Sequence, residues 1–376
     1  MRRARLLWLT LHRWLGLGLG LWFVLLGLSG SALVFYTDLE PWFDARLAPV
    51  PSAQPVSIEA VVQALQAAHP QRTAGWRIEL PAPGQALVTA RYLRPAETAG
   101  RFFAPLLATV DGRRGALVAE RYWGATPMTW LYDLHYTLML GDAGRQAVAV
   151  AGLLLVLSML SGLWLWWPRT GHWREALRFK RAASPQRRVY DLHKVAGIAM
   201  LPVLLVLGFT GAVLGWPAVS EPVIGWFSPL GAMPRPVSSS EAALPRLSAD
   251  AVLARLQRAW PDAQPRWIDV PGRDPRAPYR VRLRFPGDPG DRFPSSVAWF
   301  DARTGAVLAL RGPQQATAGD TFRQWMHPLH GGEGFGLAGR IVVCVGGLGP
   351  LALALTGWWR WRHKRRAAAR RRDLAA

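Results

Sequence analysis

The chain has 376 residues, 51% of them apolar, enough to build large buried surfaces. Its single cysteine, Cys344, excludes an intramolecular disulfide framework. The net charge of +21 is clustered: residues 2–13, 169–188 and 360–372 hold 4, 7 and 8 Lys/Arg with Glu175 as the one acid among them, the pattern of cytoplasmic flanks of membrane helices and not of a nucleic-acid surface.

The first apolar run covers 14–36, and about 20 residues suffice to span a bilayer. It continues past Gly30 to Tyr36 without an A-x-A cleavage site, so it reads as a retained helix and not a signal peptide. Gly16, Gly18 and Gly20 fall inside this run and are no nucleotide fingerprint. Three further runs follow at 146–167, 195–216 and 340–359, two of them closed by tryptophan clusters at Trp164, Trp166, Trp167 and at Trp358, Trp359, Trp361. With the basic stretches on one side, both termini and the 168–192 loop are cytoplasmic, and 37–145 and 217–339 lie outside, in the periplasm of a Gram-negative cell.

The outer segments match each other. SIEAVVQALQAAHP at 57–70 corresponds to SADAVLARLQRAWP at 248–261, each an amphipathic helix behind a serine cap and ended by proline. GWRIELP at 75–81 resembles RWIDVP at 266–271, and TVDGRRGALVAE at 109–120 resembles WFDARTGAVLAL at 299–310, a strand, Asp-x-Arg turn and strand. The chain thus reads as an internal duplication of helix, small α+β unit and helix. Ser29-Gly30 and Thr210-Gly211 match, as do Ser161-Gly162 and Thr356-Gly357, and small residues of this kind read as bundle packing.

Histidines obey the same repeat. His12 and His193 open LHRWLGL and LHKVAGI, and His135 and His330 each stand ten residues before an Ala-Gly-Arg, at Arg145 and Arg340. From His12 to Gly30 is 18 residues, or about 27 Å of helix, so opposite helix ends cannot share a metal. His12 therefore pairs with His193 near the cytoplasm, and His135 with His330 outside. Gly16 and Gly197, four residues after their histidines, leave the same helix face open for a porphyrin. Two imidazoles suit a six-coordinate electron-transfer haem. The absence of C-x-x-C-H makes it b-type, two per chain. His327 has Tyr132 as its repeat counterpart and stands open as a substrate-side group, an alternative ligand or a bystander. Asp133 and Asp191, two residues before a ligand candidate, are ring-orienting groups or helix caps. His69, His172 and His363 read as surface or packing residues. No Cys, Met or acidic cluster completes a zinc or copper site, and no catalytic side chain is assigned. The cytoplasmic loop is too short for a flavin or nicotinamide domain, so the electron donor is a partner: a quinol, a flavin reductase or a small reductant.

The LHRWLGL opening, the D-x-R-x-G turns, DLHYTL, WMHPLHGG and SGLWLWWPR together resemble the PepSY-associated transmembrane family, which includes iron-regulated inner-membrane proteins and ferric-siderophore reductases. The resemblance covers nearly the whole chain. It implies a multi-pass protein of the bacterial inner membrane that passes electrons outward to a ferric siderophore or other ferric chelate. The expected fold is membrane α-helical with two periplasmic α+β PepSY-like domains. Transmembrane helices fall within 1–37, 131–168, 193–217 and 321–362. The PepSY-like domains occupy 38–130 and 218–320, with a basic loop at 169–192 and a basic tail at 363–376. Arg273, Arg276, Arg280, Arg282 and Arg284 form either a docking platform for the chelate or a solvated strand face. Rival readings are a membrane protein that binds a peptide or protein partner and regulates a protease or receptor, and a component of iron-chelate transport. For transport the sequence offers no charged intramembrane pathway and no broken-helix pair.

Overall fold

The computed structural model describes residues 2–168, 171–239 and 245–374. Arg169 and Thr170, at the start of the expected basic loop, lie outside the described residues. The chain divides into two compact units: Met1–Phe35, Leu134–Pro217 and Leu329–Ala376 form one, and Tyr36–Asp133 and Ala218–Pro328 the other.

The first unit is helical. Gly141–Trp166, Pro185–Gly215 and Glu333–Asp373 are each long enough to cross a membrane, with mean hydropathies of 2.3, 2.3 and 1.9. Arg2–Gly18 and Gly20–Leu33 make a fourth span if taken together, but they meet at a 58° bend. The expectation of an unbroken first span therefore fails at Leu19. The physical reason is the run Gly16, Gly18, Gly20: glycine weakens a helix and lets it kink. Small residues carry the packing, as the sequence suggests. A Cβ on Gly152 would lie 2.6 Å from the Gly208 carbonyl oxygen, and one on Gly27 would collide with that of Gly347. Ser31 Oγ donates to the Cys344 carbonyl at 2.7 Å.

The second unit is one antiparallel sheet backed by two helices. Its strands are β1 (Trp76–Glu79), β2 (Leu87–Tyr92), β3 (Leu106–Asp111), β4 (Ala116–Tyr122), β5 (Gln264–Val270), β6 (Tyr279–Arg284), β7 (Ser296–Phe300) and β8 (Val307–Arg311). The order is β4-β3-β2-β1-β5-β6-β7-β8. Each outer segment supplies four strands and a helix, as expected, but the sequence-based reading of two separate units did not include the joint. β1 and β5 pair directly, Arg77 opposite Asp269 and Ile78 opposite Ile268. Arg77 Nε donates to Asp269 Oδ1 at 2.6 Å across that joint.

The helices Ile58–Ala68 and Ala249–Ala259 lay Val61, Leu65, Val252 and Leu256 on the sheet, against Ile78, Val88, Ile268 and Val281, in one continuous core. Ser57 and Ser248 cap their own helices at the third residue on. Each helix also caps the other. Asp250 accepts from Ile58 N at 2.8 Å, and Glu59 accepts from Ala249 N at 2.8 Å, so both carboxylates sit at helix N-termini where the dipole favours them. Both D-x-R turns form. Asp111 accepts from Arg113 N at 3.0 Å, and Asp301 accepts from Ser239 N, Arg303 N and Thr304 N at 2.6, 2.9 and 2.9 Å.

Candidate functional site

Four histidines of the helical unit face each other in two pairs. His12 comes from Arg2–Gly18 and His193 from Pro185–Gly215; their ring centroids are 6.3 Å apart with planes at 78°. His135 from Pro127–Thr137 and His330 from Ala318–Gly331 are 6.1 Å apart with planes at 50°. These are the pairs the sequence selects.

Each imidazole is held by a hydroxyl. His12 Nδ1 lies 2.9 Å from Ser161 Oγ and 3.1 Å from the Ser158 carbonyl. His193 Nδ1 lies 2.8 Å from Thr356 Oγ1, and His135 Nδ1 and His330 Nδ1 lie 2.9 Å from Ser29 Oγ and Thr210 Oγ1. The direction of these bonds follows from where the hydroxyl protons go. Ser29, Thr210 and Thr356 donate to the carbonyls of Leu25, Val206 and Ala352, four residues back, at 2.6–2.7 Å. Ser161 donates to the Ser158 carbonyl at 2.7 Å. Each hydroxyl oxygen is thus left to accept, and each Nδ1 must carry the proton it donates. That tautomer puts the lone pair on Nε2, the state a metal requires.

The residue after each hydroxyl is glycine, and it is there because the ring lies on it. A Cβ on Gly30 would come within 2.9 Å of His135 Cε1, on Gly162 within 3.0 Å of His12 Cε1, on Gly211 within 3.2 Å of His330 Cε1 and on Gly357 within 3.4 Å of His193 Cε1. The Ser/Thr-Gly dipeptides that read as bundle packing in the sequence are therefore imidazole seats. Sequence reasoning missed this role. The signal was present in the four-fold recurrence of the dipeptide, once per histidine.

The chain leading away from His135 is strained. Leu138 and Met139 both have positive φ, 51° and 61°, where non-glycine residues cost about 1–2 kcal/mol each. After His330 the same reversal uses Gly332, at φ 77°.

The geometry fits a metal between the rings. Two metal–imidazole bonds of about 2 Å and two ring half-widths of about 1 Å separate centroids by about 6 Å, close to both observed spacings. Among the described residues no group of three or more His, Cys, Asp or Glu could hold a metal ion. A Cβ on Gly16 would meet nothing within 4 Å, and one on Gly197 only Leu353 Cδ2 at 3.7 Å.

Other histidines and carboxylates go elsewhere. His327 belongs to the second unit, where its ring stands edge-on to Phe293, centroids 5.7 Å apart. Asp133 accepts from Trp123 Nε1 at 2.8 Å, and Asp191 holds Lys194 and the Lys180 backbone N–H. The contacts at Nδ1 of the four rings include a hydroxyl each. His69 pairs with Glu120 beside Trp76, a packing role. Of the arginine stripe, Arg280 binds Asp269, Arg284 lies near Asp291 and Arg273 reaches the Pro70 carbonyl, while Arg282 lines a cavity.

Comparison with known proteins agrees with this architecture. One relative, the Uncharacterized protein PA4219 of Pseudomonas aeruginosa, is 39% identical over 85 residues, 23% of this chain. The match spans only 21% of that protein's length. The family described as PepSY-associated TM region matches residues 9–364, nearly all of the helices and strands described above. The chain is a membrane protein, and it belongs to the PepSY-associated TM region family.

Proposed function

We propose that this chain is a di-haem b electron-transfer protein of the bacterial inner membrane that reduces ferric chelates, ferrisiderophores among them, on the extracytoplasmic side. One observation supports the reading: two histidine pairs with ring centroids 6.3 and 6.1 Å apart, all four rings tied at Nδ1, which leaves each Nε2 as the atom that would coordinate a metal. His12 with His193, and His135 with His330, would each hold one haem, which would supply a one-electron couple. The protein's own part is to fix the rings through Ser29, Ser161, Thr210 and Thr356, to leave room beside Gly16 and Gly197, and to keep water from the helix interior. The reading places four spans with both termini in the cytoplasm, the first span being the bent pair. The strand-bearing segments 38–130 and 218–320 are then periplasmic halves of an internal duplication. His12 and His193 lie toward the cytoplasmic donor, a quinol, a flavin reductase or a small reductant, and His135 and His330 toward the chelate. Reduction to ferrous iron releases it, because hard oxygen chelators hold the ferrous ion less well.

Pyridine haemochrome quantification of the purified protein tests this. The expected value is close to two haems b per chain. His12→Ala and His193→Ala should each remove one spectral component, and His135→Ala and His330→Ala the other. A haem content near zero overturns the redox reading and favours a binding module. Loss of the same component from His12→Ala and His135→Ala overturns the pairing.

A further inference from the structure

The second unit contains a cavity of about 180 Å³, open on one side. Its wall includes Arg282, Arg311, Arg323, Gln324, His327 and Phe293. Among the lining residues the one carboxylate is Asp320. It is already committed, to Arg311 and to the backbone N–H groups of Gly231 and Thr317. Arg323 reaches Glu221 at 3.0 Å, a pair 38% and 43% exposed and therefore screened by solvent. Arg282 differs. It stands on the polar face of β6, whose other face buries Tyr279, Val281 and Leu283. Its hydrogen bond is a long one, 3.5 Å to the Pro294 carbonyl. Among the described residues no carboxylate lies within ion-pairing distance of it. Burial, and then Arg280 and Arg77, hold its pKa down to about 10, so it is still charged at neutral pH. Asp269 attracts it from beyond ion-pairing distance, but a partly desolvated cation without a contacting carboxylate is unfavourable in itself.

One side of the cavity is a rigid apolar plate. Phe293 stacks on the buried Trp267, centroids 5.6 Å apart with planes at 16°, and Trp267 Nε1 donates to the Arg292 carbonyl at 2.7 Å. His327 meets the edge of the same phenyl ring. The cavity is therefore preformed, cationic on one side and flat and apolar on the other.

We infer that this cavity is a binding site for a small polycarboxylate, with Arg282 and Arg323 on its carboxylates, His327 and Gln324 on its remaining oxygens and Phe293 against its carbon skeleton. Size sets the class. Sites for drug-sized ligands run about 300–1,000 Å³, so this one takes a small acid or one acidic arm of a larger molecule and not a whole bulky chelate. Guanidinium forks match carboxylates bidentately. The inference rests on the reductase reading in one respect: there, the substrate is a ferric chelate whose ligand carries free carboxylates. It also gives His327, whose repeat counterpart is Tyr132 and not a histidine, a substrate-side role.

Isothermal titration of metal-free citrate into the full chain in nanodiscs of neutral lipid tests the site without reference to haem, so its result is independent of the haem content. Citrate should bind, and more weakly as salt rises. Arg282→Gln should weaken binding about tenfold or more, as loss of a charge-assisted bond does. His327→Gln should weaken it less. Should Arg282→Gln fail to fold, as judged by circular dichroism, Arg323→Gln replaces it, because that side chain is more exposed than Arg282 and off the sheet. Arg94→Gln, an exposed arginine outside the cavity wall, should change nothing. Absence of citrate binding at millimolar concentration overturns the proposal. So does equal loss in Arg94→Gln, or no loss in the cavity variants. Inorganic phosphate binding as well as citrate would show a general anion site and overturn the assignment to polycarboxylates.

Discussion

At the scale of single residues, the telling feature is how little the protein uses to aim an imidazole: one hydroxyl and one missing methyl. The hydroxyl chooses the tautomer, and the glycine lets the ring lie against the neighbouring helix. Alanine at the four glycines should therefore displace rings in order of crowding. Gly30→Ala and Gly162→Ala, with clashes at 2.9 and 3.0 Å, should strip their haems most, Gly211→Ala less, and Gly357→Ala, at an ordinary 3.4 Å, least. Haem content per variant, resolved by difference spectra, checks the order, and an inverted order would mean the rings are placed by something else. The histidines were legible in the sequence because charge and nitrogen ligation make them conspicuous. Their partners were not. Serine and threonine in an apolar helix also satisfy themselves by bonding back to a carbonyl, so a sequence cannot separate that habit from a second task. Asp133 and Asp191 drew attention by proximity along the chain, which says little about which way a side chain points.

Among the elements, the capped helices and the hairpins follow closely from local chemistry. Ser57 and Ser248 start the two helices where the pattern places them, and both D-x-R turns form. What local chemistry hides is reciprocity: Glu59 and Asp250 look like first-turn acids for their own helices and each caps the other helix. The β7–β8 turn gives a pH-dependent prediction. Burial opposes the charge on Asp301, but the backbone N–H groups of Ser239, Thr304 and Arg303 outweigh it and hold the carboxyl well below the usual carboxylate range. A folded-state pKa below the unfolded value of about 3.9 adds stability that is fully present above that pH and is lost as pH falls through the folded value. Asp301→Asn should cost about 1–3 kcal/mol at neutral pH, since the amide keeps one acceptor oxygen and turns an N–H donor toward backbone N–H groups that the second carboxylate oxygen had accepted. The gap between wild type and variant in thermal or denaturant unfolding should stay constant from pH 7 to about pH 5 and narrow only in stronger acid. A gap that narrows already near neutrality would contradict this account. The kink at Leu19 was readable in composition, as alternate glycines, though the spacing alone gives no angle.

For the molecule as a whole, the joint between β1 and β5 matters most. Alternation within a strand shows which face is buried, but nothing in β1 announces a partner almost two hundred residues away, which is why the sequence suggested two domains and the structure has one sheet. Residues 36–133 alone would expose the edge of β1, lose the Arg77–Asp269 pair and leave the Ile58–Ala68 helix without Asp250. Expressed alone, that segment should aggregate or self-associate, whereas co-expression with residues 218–328 should give a one-to-one complex by light scattering. A monomeric 36–133 with a sharp melting transition would show that the segments fold independently.

The histidine pairs also fix when the protein can mature. Each pair takes one ring from before residue 168 and one from after residue 184, and the hydroxyl that holds His193 is Thr356, in the last helix. Until that helix is made, the ring facing His12 lacks its hydroxyl partner, and until residue 330 is made His135 faces no ring. On the proposed reading, insertion into the bilayer runs ahead of haem loading, and every nascent or truncated chain passes through a haem-free stage exposed to membrane proteases. A chain ended after residue 328 should reach the membrane, carry no haem and be degraded faster than the full-length protein in a pulse-chase. A truncated chain that keeps one haem would show that the His12–His193 pair closes without the final helix.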